Sequence, residues 1–194
     1  MPAAQAIDLP IVQSPTEAAE QYNRIYRYTL SLLHDATDAE DVTQETFLRA
    51  HQRRSSLRNM QAELAWLYQI ATHVCLDRIR QRQRRGPLED GADVTEIEVA
   101  APAVPPAQRV AEQHEMSGCV QGYLARISDS HRAVILLHDV QKLTAPEIAA
   151  ILGISVANVK IRLHRARREL RASLEAGCAF ASDERGVLTC ESKL

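Results

Sequence analysis

The stretch Leu143-Thr-Ala-Pro-Glu-Ile-Ala-Ala-Ile-Leu-Gly-Ile-Ser-Val-Ala-Asn-Val-Lys160 holds two helix starts separated by a corner. Thr144 is placed to cap a short helix, and Pro146 falls in its first turn, where a missing N–H costs little. Gly153 follows the apolar Leu152 as a residue able to take positive φ and stop that helix. Ser155 is then the cap of a second helix starting at Val156. Ala149 is small where two crossing helices approach, and Ile154 and Val159 fill the corner. The pattern is that of a helix-turn-helix, with an ordinary helical hairpin as the plainer alternative.

The chain that follows, Lys160-Ile-Arg-Leu-His-Arg-Ala-Arg-Arg-Glu-Leu-Arg171, separates those two readings. Val159, Leu163, Ala166 and Leu170 recur at four, three and four, which makes one buried stripe. Lys160, Arg162, His164, Arg165, Arg167, Arg168 and Arg171 occupy the remaining faces, with Glu169 as the one acid. A solvated face would interleave acids. A helix that is held in a fold on one side and enters the major groove on the other needs this division instead. Arginines suit bidentate contact with guanine and, further along, contact with phosphates.

Around this segment, the 194 residues are 45% hydrophobic and only 4% aromatic, and Ala, Leu, Arg, Gln and Glu favour helix over sheet. Apolar residues at helical spacing mark helices from Ala18 to Leu33, from Ala39 to about Arg54 with Asp38 as its cap, and from about Gln61 to Arg84. Further helices are expected over Ala107–Ile127, Ser130–Val140, Thr144–Leu152 and Val156–Leu174. The fold class is therefore all-α, as two small helical domains. No run of 18 apolar residues is present to span a membrane, and Met1–Pro15 lacks the features of a secretion signal. Cysteines at 75, 119, 178 and 190 have no paired C-x-x-C spacing, which points to a reducing cytoplasm.

The net charge of −2 conceals an asymmetry. Residues 20–85 carry 11 Arg against 8 acids, residues 86–107 carry five acids and no base, and residues 108–171 carry 10 bases against 6 acids. The acidic strip also holds Pro87, Pro102, Pro105 and Pro106, so it reads as a flexible linker of at most ~75 Å that avoids phosphates. The expected organisation is a flexible N-terminus over 1–17, a helical domain over 18–85, the acidic linker over 86–107, a helix-turn-helix domain over 108–174, and a tail over 175–194 containing Cys178 and Cys190. Five of the eight residues 78–85 are Arg, which reads as a second basic patch or as a helix end that suits the macrodipole. Asp35, Asp38, Glu40, Asp41 and Glu45 lie in an interval with no Lys or Arg between Tyr28 and Leu48. That makes an acidic surface fit for a basic protein partner, or simply a solvated helix start.

Three motifs in order, Ala39-Glu-Asp-Val-Thr-Gln-Glu-Thr-Phe47, Trp66-Leu-Tyr-Gln-Ile-Ala71 and Val159-Lys-Ile-Arg-Leu-His-Arg-Ala-Arg167, give the chain its specific resemblance. It resembles extracytoplasmic-function (group 4) bacterial RNA polymerase sigma factors over about residues 18–174. The resemblance implies that the first domain binds the polymerase clamp through Asp41, Gln44 and Glu45. It also implies that this domain binds the −10 promoter element through His73, Asp77, Arg80, Arg84 and Arg85. The second domain would bind the −35 element through Ser155, Asn158, Lys160, Ile161, Arg162, His164 and Arg165. The partners implied are core RNA polymerase (clamp and flap), promoter DNA and an anti-sigma factor, possibly membrane-anchored.

Where that family usually has Asn, this chain has His73, and Asn158 and Ile161 replace the usual Thr and Ser, so base preference is open at both elements. Trp66 fits either a core residue or a stacking platform for melted DNA. Cys75 and Cys119 read as small core residues. Cys178 and Cys190 stay open between a packed tail, a redox pair and a metal site shared with a partner, because two thiolates alone make an incomplete zinc site. No phosphate-binding loop or clustered carboxylates marks a catalytic centre, so neither enzyme activity nor a cofactor or metal is expected. The rival readings are a dimeric helix-turn-helix repressor, which would bind duplex DNA tightly by itself, and a nuclease or recombinase, which would need metal-holding carboxylates.

Overall fold

The structure, a computed structural model, describes residues 15–57, 59, 62–85, 120–182 and 188–192. The expected linker 86–107, Cys119 and the side chains of Arg85 and Cys190 lie outside the described residues. The chain divides into two compact units, Met1–Arg80 and Gln81–Leu194.

The first unit packs α1 (Pro15–Leu33), α2 (Ala36–Gln52) and α3 (Glu63–Arg85). Ile25, Tyr28, Leu32, Val42, Leu67, Tyr68, Ala71 and Cys75 are buried between them. Tyr28 meets Tyr68 edge-on at 5.2 Å, the favourable quadrupole geometry, and its hydroxyl lies 2.8 Å from that of Thr72. Between α1 and α2 the buried Thr43 hydroxyl donates to the Ala39 carbonyl at 2.6 Å and sits 3.0 Å from Thr29 Oγ1. Burial pushes the Cys75 thiol well above its ordinary range, as expected of an inert core cysteine.

The start of α2 corrects the sequence reading. Asp35, not Asp38, is the cap: its extended backbone ends the turn and its carboxylate accepts from the Asp38 N–H at 2.8 Å. Asp38 sits inside the first turn, buried, where Arg78 of α3 reaches it at 3.1 Å. Two aspartates three apart both fit a helix start, and only the packing of α3 decides between them.

In the second unit, the described residues after α3 comprise a helical stretch over 120–124, α4 (Asp129–Ile135), a π-helical turn (Leu136–Val140), α5 (Ala145–Leu152) and α6 (Val156–Gly177). The single helix expected over Ser130–Val140 thus becomes an α-helix closed by a wider turn. Arg132 is buried and does the work of a helix cap. Its Nε donates to the Leu124 carbonyl at 2.8 Å and its Nη2 to those of Ala125 and Ile127 at 3.0 and 3.2 Å. These carbonyls lie at the end of the 120–124 helix and in the turn that follows it, where the helical ladder has stopped.

The corner forms as its residues dictate. Glu147 accepts from the Thr144 N–H at 2.7 Å and from its hydroxyl at 2.6 Å, and Pro146 occupies the first turn of α5. Gly153 closes α5 at φ 64°, a left-handed conformation that any Cβ would strain. Ser155 Oγ accepts from the Asn158 N–H at 3.2 Å to start α6. Ile148, Ile151, Val159, Leu163 and Ala166 are buried with Val134, Leu136 and Leu137.

Beyond α6 the described residues include one hairpin that periodicity did not reveal: β1 (Cys178–Ser182) pairs antiparallel with β2 (Leu188–Ser192). Its register sets Phe180 opposite Cys190 and Cys178 opposite Ser192. Cys178 and Cys190 are therefore diagonal neighbours, roughly 7–8 Å apart at Cα and beyond the usual span of a disulfide. The buried Cys178 thiol donates instead to Tyr123 Oη at 3.3 Å. Gly177 makes that contact possible, since a Cβ there would stand 1.9 Å from the same Tyr123 oxygen.

The hydrogen bonds from Thr144 hold the Glu147 carboxyl below its ordinary range. A depressed carboxyl stabilises the fold above its unfolded pKa, and that contribution disappears as the pH falls through the folded value. Glu147→Ala is therefore expected to cost a few tenths to about 1 kcal/mol at pH 7 and less at pH 3, below the ordinary carboxyl range. Urea unfolding of both proteins at the two pH values measures this.

Candidate nucleic-acid and partner interfaces

The two ends of α6 and its borders determine which of its charges face outward. With Val159, Leu163 and Ala166 buried, the opposite side presents Asn158, Lys160, Ile161, His164, Arg165 and Arg168 to solvent, and Arg162 is half-buried. Ile161 is 48% exposed, an apolar side chain left in water in the middle of a cationic surface. Lys160, Arg162, His164, Arg165 and Arg168 form no ion pair among the described residues.

The other charges of this helix are committed elsewhere. Arg167 grips Asp139 of the π-helical turn with two guanidinium nitrogens: Nε donates to Oδ2 at 3.0 Å and Nη2 donates to Oδ1. That fork holds the Asp139 carboxyl below its ordinary range, helped by His138 at 2.8 Å. Glu169 lies 2.6 Å from His131 of α4, and Arg171 pairs with Glu175 at 2.7 Å. Of the seven basic residues counted from the sequence, Arg167 and Arg171 thus have acidic partners. Ser155 is exposed, but its oxygen is engaged as the cap of α6.

On α3, His73, Asp77, Arg80 and Arg84 follow at four, three and four residues and so share one exposed stripe. Asp77 and Arg80 pair along it at 2.8 Å. His73 Nδ1 lies 2.7 Å from the Gln69 carbonyl, which can only accept, so Nδ1 donates there and is committed to the backbone. An amide at that position would offer a donor and an acceptor of different geometry. Trp66 is half-buried. The run of arginines over 78–85 is not a uniform patch, because Arg78 turns back to Asp38 at 3.1 Å and to Asp41 at 3.8 Å.

The expected acidic surface on α2 is correspondingly smaller. Asp35 is engaged in capping, Asp38 is buried, and Glu45 is held by Arg49 at 2.6 Å. Both arginines lie outside the interval that made the segment look unopposed. What remains outward is Glu40, Asp41 and Gln44, with the Gln44 amide 3.4 Å from Glu40. Beside them Phe47 stacks on Tyr22 at 5.5 Å and Leu48 is 57% exposed. Burial and the charge of Glu40 raise the Tyr22 pKa. The sequence reading missed Leu48 and Tyr22. Leu48 is detectable as an apolar residue off the buried face of α2, whereas Tyr22 needed the fold.

Among the described residues no group of His, Cys, Asp or Glu could hold a metal ion, and no helix is long and apolar enough to cross a membrane.

Comparison with known proteins places both units. The Sigma-70 region 2 family matches residues 19–85 and the Sigma-70 region 4 family matches residues 117–170. The ECF RNA polymerase sigma factor SigW of Bacillus subtilis (strain 168) is 34% identical over 157 residues, covering 78% of this chain and 83% of the relative. The ECF sigma factor SigM of the same organism is 31% identical over 155 residues, covering 80% and 91%. Among solved structures, the sigma factor RpoE in complex with the anti-sigma factor NepR from Bartonella quintana shares the fold, with a TM-score of 0.61 at 24% identity over 82% of this chain and 95% of that one. CnrH in complex with the cytosolic domain of CnrY has a TM-score of 0.56 at 26% identity, covering 83% and 86%.

Capping and DNA contact make different demands on Ser155. Ser155→Ala should lower stability by about 1 kcal/mol in urea unfolding, and Ser155→Asp should restore it because a carboxylate caps equally well. Loss of DNA affinity in the Ala variant at a temperature where it stays folded would identify a direct contact, and the Asp variant is read for stability alone because its carboxylate repels phosphates in any case.

Proposed function

The chain belongs to the extracytoplasmic-function family of RNA polymerase sigma factors, and on that footing we propose how its surfaces divide the work of promoter-specific initiation. One observation carries the reading. The helix after the Gly153 corner keeps Lys160, Arg162, His164, Arg165 and Arg168 without acidic partners among the described residues, while its apolar stripe is buried. A helix so divided can enter the major groove without disturbing its own core. Asn158, Lys160, Ile161, Arg162, His164 and Arg165 face the −35 element, with Ser155 at the helix start. Ile161 suits a thymine methyl and Arg165 a guanine edge.

The stripe of His73, Asp77, Arg80 and Arg84, continued by Arg85, takes the −10 element. There His73, with Nδ1 bound to the Gln69 carbonyl, has only Nε2 left for a base edge. Asp41, Gln44 and Glu45 bind the clamp of core polymerase, and the exposed Leu48 and the Phe47–Tyr22 stack add apolar area to a surface of few net charges. Melting is driven by binding of bases and phosphates, and the protein contributes no bond-making chemistry. The protein works in the cytoplasm, next to core polymerase. An anti-sigma factor, of the kind bound to the Bartonella quintana relative, covers these surfaces until initiation is needed.

Transcription by purified core enzyme with this protein, with start sites mapped, tests the reading directly; an absence of start-site selectivity would overturn it. The double variant Gln44→Lys and Glu45→Lys is expected to abolish assembly with core, measured by co-elution, while helix content by circular dichroism stays unchanged. Arg165→Ala should weaken −35 binding by ~1–3 kcal/mol if the side chain is bidentate to a base. An equal loss on every sequence would mark a phosphate contact.

A further inference from the structure

The basic face of α6 is trimmed at one edge by a residue that lies outside the helix-turn-helix. Arg167 follows His164 by three residues and Lys160 by seven, so its side chain stands on the same flank as those two exposed groups. Its guanidinium is nevertheless turned along the surface to the π-helical turn, where both oxygens of Asp139 accept from it and His138 Nδ1 lies 3.2 Å from Nη2. Asp139 is itself fixed by its place in the π-helical turn. Lys142 donates to the Asp139 backbone carbonyl at 2.6 Å, and the Leu143 N–H returns to the Leu137 carbonyl at 3.0 Å. A bidentate arginine-carboxylate pair anchored in this way holds its cation more firmly than a single exposed contact would.

We propose that Asp139 withholds Arg167 from DNA, so that α6 meets the phosphate backbone with one cation fewer than its composition offers. The consequence is a lower affinity for DNA of any sequence. Affinity from phosphate contacts is sequence-blind, and each contact steepens the salt dependence of binding by about 0.9 in log K against log salt. An initiation factor that must reach rare start sites gains selectivity when such contacts are few, because discrimination comes from the base-reading residues alone. The inference rests on α6 being a DNA-binding surface, and it adds a specificity-setting residue that touches no base.

The test measures binding of the full-length protein to a labelled duplex of unrelated sequence across a salt series, by fluorescence anisotropy. Asp139→Asn should steepen the slope by about 0.9 and tighten binding about eightfold at 0.1 M salt, taking the added contact as lost at 1 M. Arg167→Gln alone should leave slope and affinity unchanged, and in the Asp139→Asn background it should return both to the parent values. Circular dichroism of each variant shows that the fold persists. Should Asp139→Asn fail to fold, the neutrality of Arg167→Gln still decides the matter: a flatter slope would mean that Arg167 already binds phosphate, and the proposal would be wrong. Arg165→Ala, measured on a duplex carrying the −35 element upstream of a mapped start site, serves as the control. If it loses affinity while Asp139→Asn changes nothing, the pair is structural only and the DNA-binding surface stands. If Arg165→Ala also changes nothing, α6 is not the DNA-binding surface and both readings fall.

Discussion

The removal of Val159, Leu163 and Ala166 from water is the constraint on which the rest depends. Those three side chains dock α6 against α4 and α5, beside Val134, Ile148 and Ile151. Each large one contributes ~1.5–3 kcal/mol of hydrophobic stabilisation. The roll of the helix about its axis follows, because no other orientation buries the stripe. Once the roll is set, every polar residue of α6 has a fixed direction. The cationic surface is thus a by-product of apolar packing, and the corner at Gly153 only decides at what angle it is presented.

Charge pairing then refines that surface. On one border Asp139 holds Arg167, and on another His131 faces Glu169, the single acid of the basic run. The first unit uses the same device, with Arg78 reaching from α3 to Asp38 and Asp41. In each case a residue that composition assigns to an interface is engaged within the fold, and what is left outward is smaller and chemically more mixed. Leu48 and Ile161 are exposed in these mixed regions, where apolar groups of a partner would gain from covering them. Arg132 is the extreme case, a cation taken wholly inside to satisfy the carbonyls of Leu124, Ala125 and Ile127.

Local chemistry was legible in the sequence, and long-range pairing was not. The positions of Thr144, Pro146, Gly153 and Ser155 announce their roles because each acts within four residues of itself through a cap, a ring or a positive φ. The apolar stripes of α1, α3 and α6 are equally readable, since periodicity is a property of neighbouring residues. Even so, the choice between Asp35 and Asp38 as a cap went the wrong way. The deciding contact with Arg78 comes from 40 residues further along. The hairpin after α6 is not legible in the sequence because five-residue strands span only two and a half periods of alternation.

By itself the sequence determined the all-α class, the helix-turn-helix corner and the family, since these depend on short-range periodicity and on three motifs in order. Tertiary structure alone decided which charges are available to a partner. Arg167 and Asp139 are 28 residues apart, His131 and Glu169 are 38 apart, and no local rule relates them. An ion pair depends on distance in space, and only packing of the apolar faces sets that distance.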